Sequence, residues 1–211
     1  MPEPALTRYD APPEIGGRPR GVLLMLHGGK PRSQRVVNGR SASWRRSLVM
    51  QREIAWNAQA LGLSTWLLRH RVAGWNGPAD PSPVPDARWA LERIRAEYAE
   101  LPVVLLGHSM GARTAIRVAD DPSVVGVVAL APWFPHDEPV HSLGVKPLIA
   151  FQGRRDRITS YAETAAFIAR AGAGARLVDL GPVGHYMLRA RSVWNEAALS
   201  AASAMVVETA E

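Results

Sequence analysis

Leu101-Pro102-Val103-Val104-Leu105-Leu106-Gly107-His108-Ser109-Met110-Gly111 is the stretch on which the reading of this chain turns. An apolar, partly β-branched run leads straight into Gly-x-Ser-x-Gly, and a helix-compatible segment, Ala112 to Ala119, follows at once. Continuous apolar character marks a strand buried on both faces, whereas a half-exposed strand alternates. The two glycines suit a sharp strand-to-helix turn. Without Cβ atoms they let backbone close in while the residue between them takes strained dihedrals. Ser109 is then expected to project from the top of a sheet at a helix N-terminus, where free N–H groups and the positive dipole end favour developing negative charge. Gly-x-Ser-x-Gly also arises in ordinary βα turns, so the strand before it and the helix after it carry the inference.

Similar units lie on both sides. Gly21 to His27 reads as a buried strand ending in His27-Gly28-Gly29, and Lys30–Ser47 is polar and loop-like. Leu48 to Leu61 has helical apolar spacing and stops before Gly62. Leu63–Arg69 is a further strand, His70–Pro85 a loop, and Asp86 is placed to N-cap the next helix. Beyond the central turn come strands at Val124–Leu130, Pro147–Gln152 and Arg176–Leu180. Helices are expected from about Ser160 to Ala171 and about Ser192 to Val207. Strands alternating with helices imply an α/β protein: a mostly parallel sheet of about six strands, with helices on both faces. Residues 1–20 read as a tail or edge element, with an extended possibility at Ala5–Tyr9, and 21–211 as one α/β domain. Ligands of such sheets bind beyond the carboxyl ends of the strands. That gathers His27-Gly28-Gly29, His70, Ser109, Pro132-Trp133-Phe134, Asp156 and His185.

Composition removes several classes of function. The 211 residues are 47% apolar and 21% charged, as in ordinary globular proteins. The absence of cysteine removes disulfides, thiolate metal sites and a Cys nucleophile. The longest apolar run, Val124 to Ala131, falls far short of a membrane span. Met1-Pro2-Glu3-Pro4-Ala5 shows no secretory pattern, so a cytoplasmic location is expected. Net charge is +6, carried by 23 Arg and 2 Lys against 19 acidic residues. The basic cluster Lys30, Arg32, Arg35, Arg40, Arg45 and Arg46 has Trp44 as its one aromatic and no nucleic-acid-binding motif beside it. It reads as solvated surface, and the sequence leaves open whether it meets an acidic substrate. No His/carboxylate cluster has ligand-like spacing, so neither metal nor other cofactor is expected.

A serine hydroxyl needs a base to take its proton and a group to orient that base. His185 follows the last strand, and Asp156 sits in the turn after the strand before it. Asp137 competes with Asp156, and His136 and His141 compete with His185. His27, His108 and His70 read as structural. With Leu26-His27-Gly28-Gly29, Gly107-His108-Ser109-Met110-Gly111, Gly153-Arg154-Arg155-Asp156 and Gly184-His185 in this order, the chain resembles the α/β-hydrolase superfamily from about Gly21 to Val207.

That resemblance implies Ser109 as nucleophile, His185 as base and then acid, and Asp156 as orienting carboxylate. It also implies an oxyanion hole from the N–H groups of Met110 and Gly29. The nearest likeness is to small lidless serine esterases and dienelactone-hydrolase-like proteins. Ser109 stands where the latter have cysteine, Lys30 stands where a third glycine would complete His-Gly-Gly-Gly, and no room exists for a cap domain before Pro147. Trp75, Trp133, Phe134, Tyr186 and Met187 are expected around an apolar acyl substrate. The implied function is hydrolysis of a carboxylic ester or thioester by a monomer or homodimer. Acyl transfer, or ligand binding without turnover, is the alternative.

Overall fold

A computed structural model describes residues 2–12, 19–77, 81–186 and 190–207. Seven strands form one sheet: β1 (Ala5–Tyr9), β2 (Gly21–Leu26), β3 (Leu63–Arg69), β4 (Val103–His108), β5 (Val124–Leu130), β6 (Leu148–Gln152) and β7 (Ala175–Asp179). Their order is β1-β3-β2-β4-β5-β6-β7, parallel throughout except for β1, which runs antiparallel to β3. The sheet thus has one strand more than the six expected. Arg8 of β1 sets its guanidinium over the Trp66 ring at 3.9 Å, and Gln51 Nε2 donates to Thr7 O at 2.8 Å, which holds this short strand to the edge.

The strands are apolar along their length because each face meets helices. Val22, Leu24, Leu26, Val103 and Leu105 pack with α2 (Pro83–Tyr98), α3 (Met110–Val118) and α4 (Tyr161–Ala171). The alternate residues Leu23, Met25, Val104 and Leu106 pack with α1 (Ala42–Ala60) and α5 (Arg191–Val207). Period-2 alternation here divides two cores rather than core from solvent.

Two helix starts differ from expectation. α1 begins at Ala42, inside the stretch read as loop, after Ser41 Oγ accepts the Asn38 N–H at 3.0 Å. Its first turns carry exposed arginine on one side, so the apolar period is not visible there. α2 begins at Pro83, whose missing N–H costs nothing at a first helical position. Asp86 is therefore not an N-cap: it is buried in the first turn and accepts the Arg71 N–H at 2.8 Å.

From β2 the chain turns to β3 on one side, and it later resumes at β4 on the other. The C-terminal ends of β2 and β4 therefore flank the point where the winding reverses, and a crevice opens there in sheets of this kind. No described helix is long and apolar enough to cross a membrane.

Candidate active site

Ser109 sits between β4 and α3 with φ 55° and ψ −116°, a conformation that costs a non-glycine residue about 1–3 kcal/mol. The surrounding structure enforces it. Ser109 N donates to Leu130 O at 3.0 Å, and Ser109 O accepts the N–H groups of Ala112 (3.1 Å) and Trp133 (3.2 Å). Both flanking glycines are required by contact. A Cβ on Gly107 would lie 2.4 Å from Ala112 N, and one on Gly111 would lie 1.9 Å from Leu26 O. α3 is therefore pressed against the end of β2. A Cβ on Gly28 would fall 3.3 Å from that of Ser109, so the His27-Gly28-Gly29 loop lies against the serine turn. The N–H groups of Gly29 and Met110 donate to no protein acceptor among the described residues.

Asp156 and His185 meet beside this turn. His185 Nδ1 lies 2.9 Å from Asp156 Oδ2, and both side chains are buried. The close approach of their two loops explains the encounter: a Cβ on Gly153 would strike Val183 O at 2.1 Å, and Arg155 N donates to Val183 O at 3.1 Å. Asp156 Oδ1 accepts the N–H groups of Ile158 (2.8 Å) and Thr159 (2.9 Å), while Thr159 Oγ1 donates to Oδ2 at 2.8 Å. Burial pushes this carboxyl up, but the His185 hydrogen bond and these two amides outweigh it and hold it below the ordinary carboxylate range. The rivals stand elsewhere, for Asp137, His136 and His141 are exposed. Among the described residues Ser109 Oγ makes no hydrogen bond to His185. Such contacts are often loose in ligand-free sites and tighten with substrate.

Thr159, which the sequence did not single out, and His108, read there as structural, support the pair. Thr159, buried, fixes Asp156 and lies 3.4 Å from His185 Nδ1. His108 Nε2 lies 3.0 Å from His185 O and donates to it, tying the His185 loop to the residue before Ser109. The Thr159–Asp156 turn is local, spanning three positions, whereas nothing local marks the role of His108, whose partner is 77 positions away.

The aromatic residues divide. Trp75 is buried and Trp133 half-buried, with rings perpendicular at 6.1 Å. The Arg113 guanidinium covers both, 4.0 and 4.6 Å from their centroids, and is held there by buried Glu138. Phe134 stacks on Phe167 at 4.1 Å within the sheet's core, so its ring is occupied in packing rather than facing a pocket. Tyr186 stands edge-on to His185 with centroids 5.3 Å apart. Met187 lies outside the described residues.

Three imidazoles are buried neutral. His27 Nδ1 donates to Gly28 O at 2.7 Å and its Nε2 accepts the His70 N–H at 3.2 Å. Burial lowers His27 to about 4, His108 to about 3 and His70 well below its ordinary value. The unfolded chain binds protons on these rings below about pH 6.5, whereas the folded protein refuses them until far lower pH. Stability should therefore fall as pH drops from about 6.5 toward 4, by up to about 1.4 kcal/mol per pH unit for each histidine. Asp86, whose carboxyl burial pushes up against the pull of Arg71, offsets part of this. Urea denaturation at pH 7 and pH 5 should show a clear drop in midpoint; equal midpoints would contradict the burial of these rings. No three His, Asp or Glu side chains converge as metal ligands among the described residues.

A strained serine at a β-strand-to-helix turn, a histidine–carboxylate pair beside it and a mostly parallel sheet with helices on both faces define the α/β-hydrolase fold. A profile of the family described as serine aminopeptidase, S33, matches residues 78–147. Among solved structures, an α/β serine hydrolase homologue from Coxiella burnetii superposes with a TM-score of 0.69 at 19% identity, over 93% of this chain and 89% of that one. A serine hydrolase without lid from Xanthomonas campestris gives 0.66 at 19% identity over 94% and 93%. Thermogutta terrifontis esterase 2, in its form phosphonylated by cyclosarin, gives 0.70 at 16% identity over 98% and 89%. No curated protein sequence matches the chain. The chain has the α/β-hydrolase fold, and these similarities are to serine hydrolases and an esterase, one of them without a lid.

Proposed function

We propose that the protein is a serine hydrolase that cleaves a carboxylic ester or thioester through an acyl-enzyme. The observation that carries this reading is the buried Asp156–His185 pair, 2.9 Å apart, beside a serine held at φ 55°. Asp156 accepts from His185 Nδ1–H and thereby leaves Nε2 as the basic nitrogen. Nε2 takes the Ser109 hydroxyl proton as Oγ attacks the acyl carbon. The resulting oxyanion is received by the free N–H groups of Met110 and Gly29, each contributing about 3–4 kcal/mol to the transition state. The imidazolium then protonates the leaving alcohol or thiol, and water activated by the same nitrogen releases the acid and restores Ser109.

Incubation with a p-nitrophenyl ester of a short acid should release nitrophenolate, and a fluorophosphonate probe should label the protein at Ser109. Absence of both would sink the proposal. Asp156→Asn should retain the fold yet lower kcat by about 10⁴-fold, because the amide cannot hold His185 in the required tautomer. Undiminished turnover in that variant would remove Asp156 from its role.

A further inference from the structure

A basic cleft lies next to this site and has no function in the steps above. A cleft of about 400 Å³ opens between the first turns of α1 and α5, walled by Arg40, Arg45, Arg46 and Arg191. Its one carboxylate, Glu53, is already engaged: Oε1 accepts from Arg191 Nη1 at 2.7 Å and Oε2 from Asn195 Nδ2 at 2.8 Å. Arg40, Arg45 and Arg46 have no acidic partner among the described residues. Arg46 is the telling member. It is half-buried, its Nε is shielded from solvent with no acceptor, and its guanidinium lies 4.6 Å over the Tyr186 ring. Tyr186 in turn packs edge-on against His185 at 5.3 Å. A partly buried cation without a counter-charge pays desolvation that an anionic ligand would offset.

We infer that this cleft binds the carboxylate or phosphate of the substrate, so that the preferred ester carries an anionic group at the end remote from its scissile carbonyl. The inference rests on the serine-hydrolase reading above and narrows it to a substrate class. The route from Arg46 across Tyr186 to His185 places that group within one small molecule's length of the reacting atoms. Planar guanidinium forks suit both carboxylate and phosphate, which makes arginine an apt lining for such a site.

The test compares two p-nitrophenyl esters of equal chain length, the hemiglutarate and the neutral pentanoate. Wild type should favour the hemiglutarate by at least about tenfold in kcat/KM, and the preference should shrink as salt rises. Arg46→Gln and, separately, Arg45→Gln should reduce that ratio several-fold, chiefly through KM of the anionic ester. The ratio is taken on one preparation, so partial unfolding cannot mimic it. Calorimetry of glutarate and of inorganic phosphate on Ser109→Ala and on Ser109→Ala/Arg46→Gln reads the cleft without turnover and shows which anion it prefers. Cleavage of both esters at equal efficiency, with no anion binding, would overturn the cleft and leave the hydrolase reading standing. Anion binding that Arg46→Gln abolishes, with neither ester cleaved, would uphold the cleft and overturn the hydrolase reading.

Discussion

Ser109→Ala is expected to lower kcat for a p-nitrophenyl ester by about 10⁶-fold and to abolish fluorophosphonate labelling, while the protein remains folded. The size follows from how the parts depend on one another. Without Oγ, the His185 base has no proton to take and the N–H groups of Met110 and Gly29 have no tetrahedral oxyanion to receive. Residual catalysis then comes only from binding and the oxyanion site. The fold should survive because the strained turn at Ser109 is enforced by backbone contacts to Leu130, Ala112 and Trp133, none of which uses the hydroxyl. Alanine at φ 55° is no worse accommodated than serine. A thermal melt beside the kinetic assay separates lost chemistry from lost structure. Labelling or turnover that persisted in this variant would exclude Ser109 as nucleophile.

The second large effect is on folding. Gly111→Ala places a methyl group 1.9 Å from Leu26 O, 2.5 Å from Leu26 C and 2.9 Å from His27 O. These are backbone atoms of the sheet, so no side-chain rotation relieves the clash. Either α3 moves away from β2 or β2 leaves its ladder, and a loss of about 3 kcal/mol or more follows. Gly39→Ala is the matched control, since a Cβ there meets nothing within 4 Å, and it should change stability by no more than about 0.5 kcal/mol. Urea denaturation of the two variants checks this directly. A Gly111→Ala protein as stable as wild type would show that α3 does not pack on β2 at the described distance. Any folded fraction should also lose activity, because the shift separates the Met110 N–H from the Gly29 loop.

Both predictions concern the serine turn, which could be read without the fold. The residues of β2, β4 and β5 are apolar almost without interruption, and such runs have few alternatives to a strand covered on both sides. Helix starts were less legible. At α1 the exposed arginines hide the apolar period, and at α2 the pull of Arg71 takes Asp86 into the interior, away from the cap that its residue type suggests. The edge strand β1 is short, and its place depends on contacts with Trp66 and Gln51 that no local pattern announces.

What the sequence by itself determined was the serine turn and the alternation of strand and helix, because both follow from chain sterics and local periodicity. The order of motifs in the resemblance implied Asp156 and His185, but that the two side chains meet is a matter of three dimensions. The competitors Asp137, His136 and His141 are exposed, whereas the close contact of Gly153 with Val183 brings the loops of Asp156 and His185 together. The tertiary structure likewise sent Phe134 to the core and brought Arg46 over Tyr186 from the far side of the chain. The reason is range: a turn is fixed by atoms a few bonds apart, whereas a histidine–carboxylate pair or a cleft between two helices depends on where distant loops come to rest.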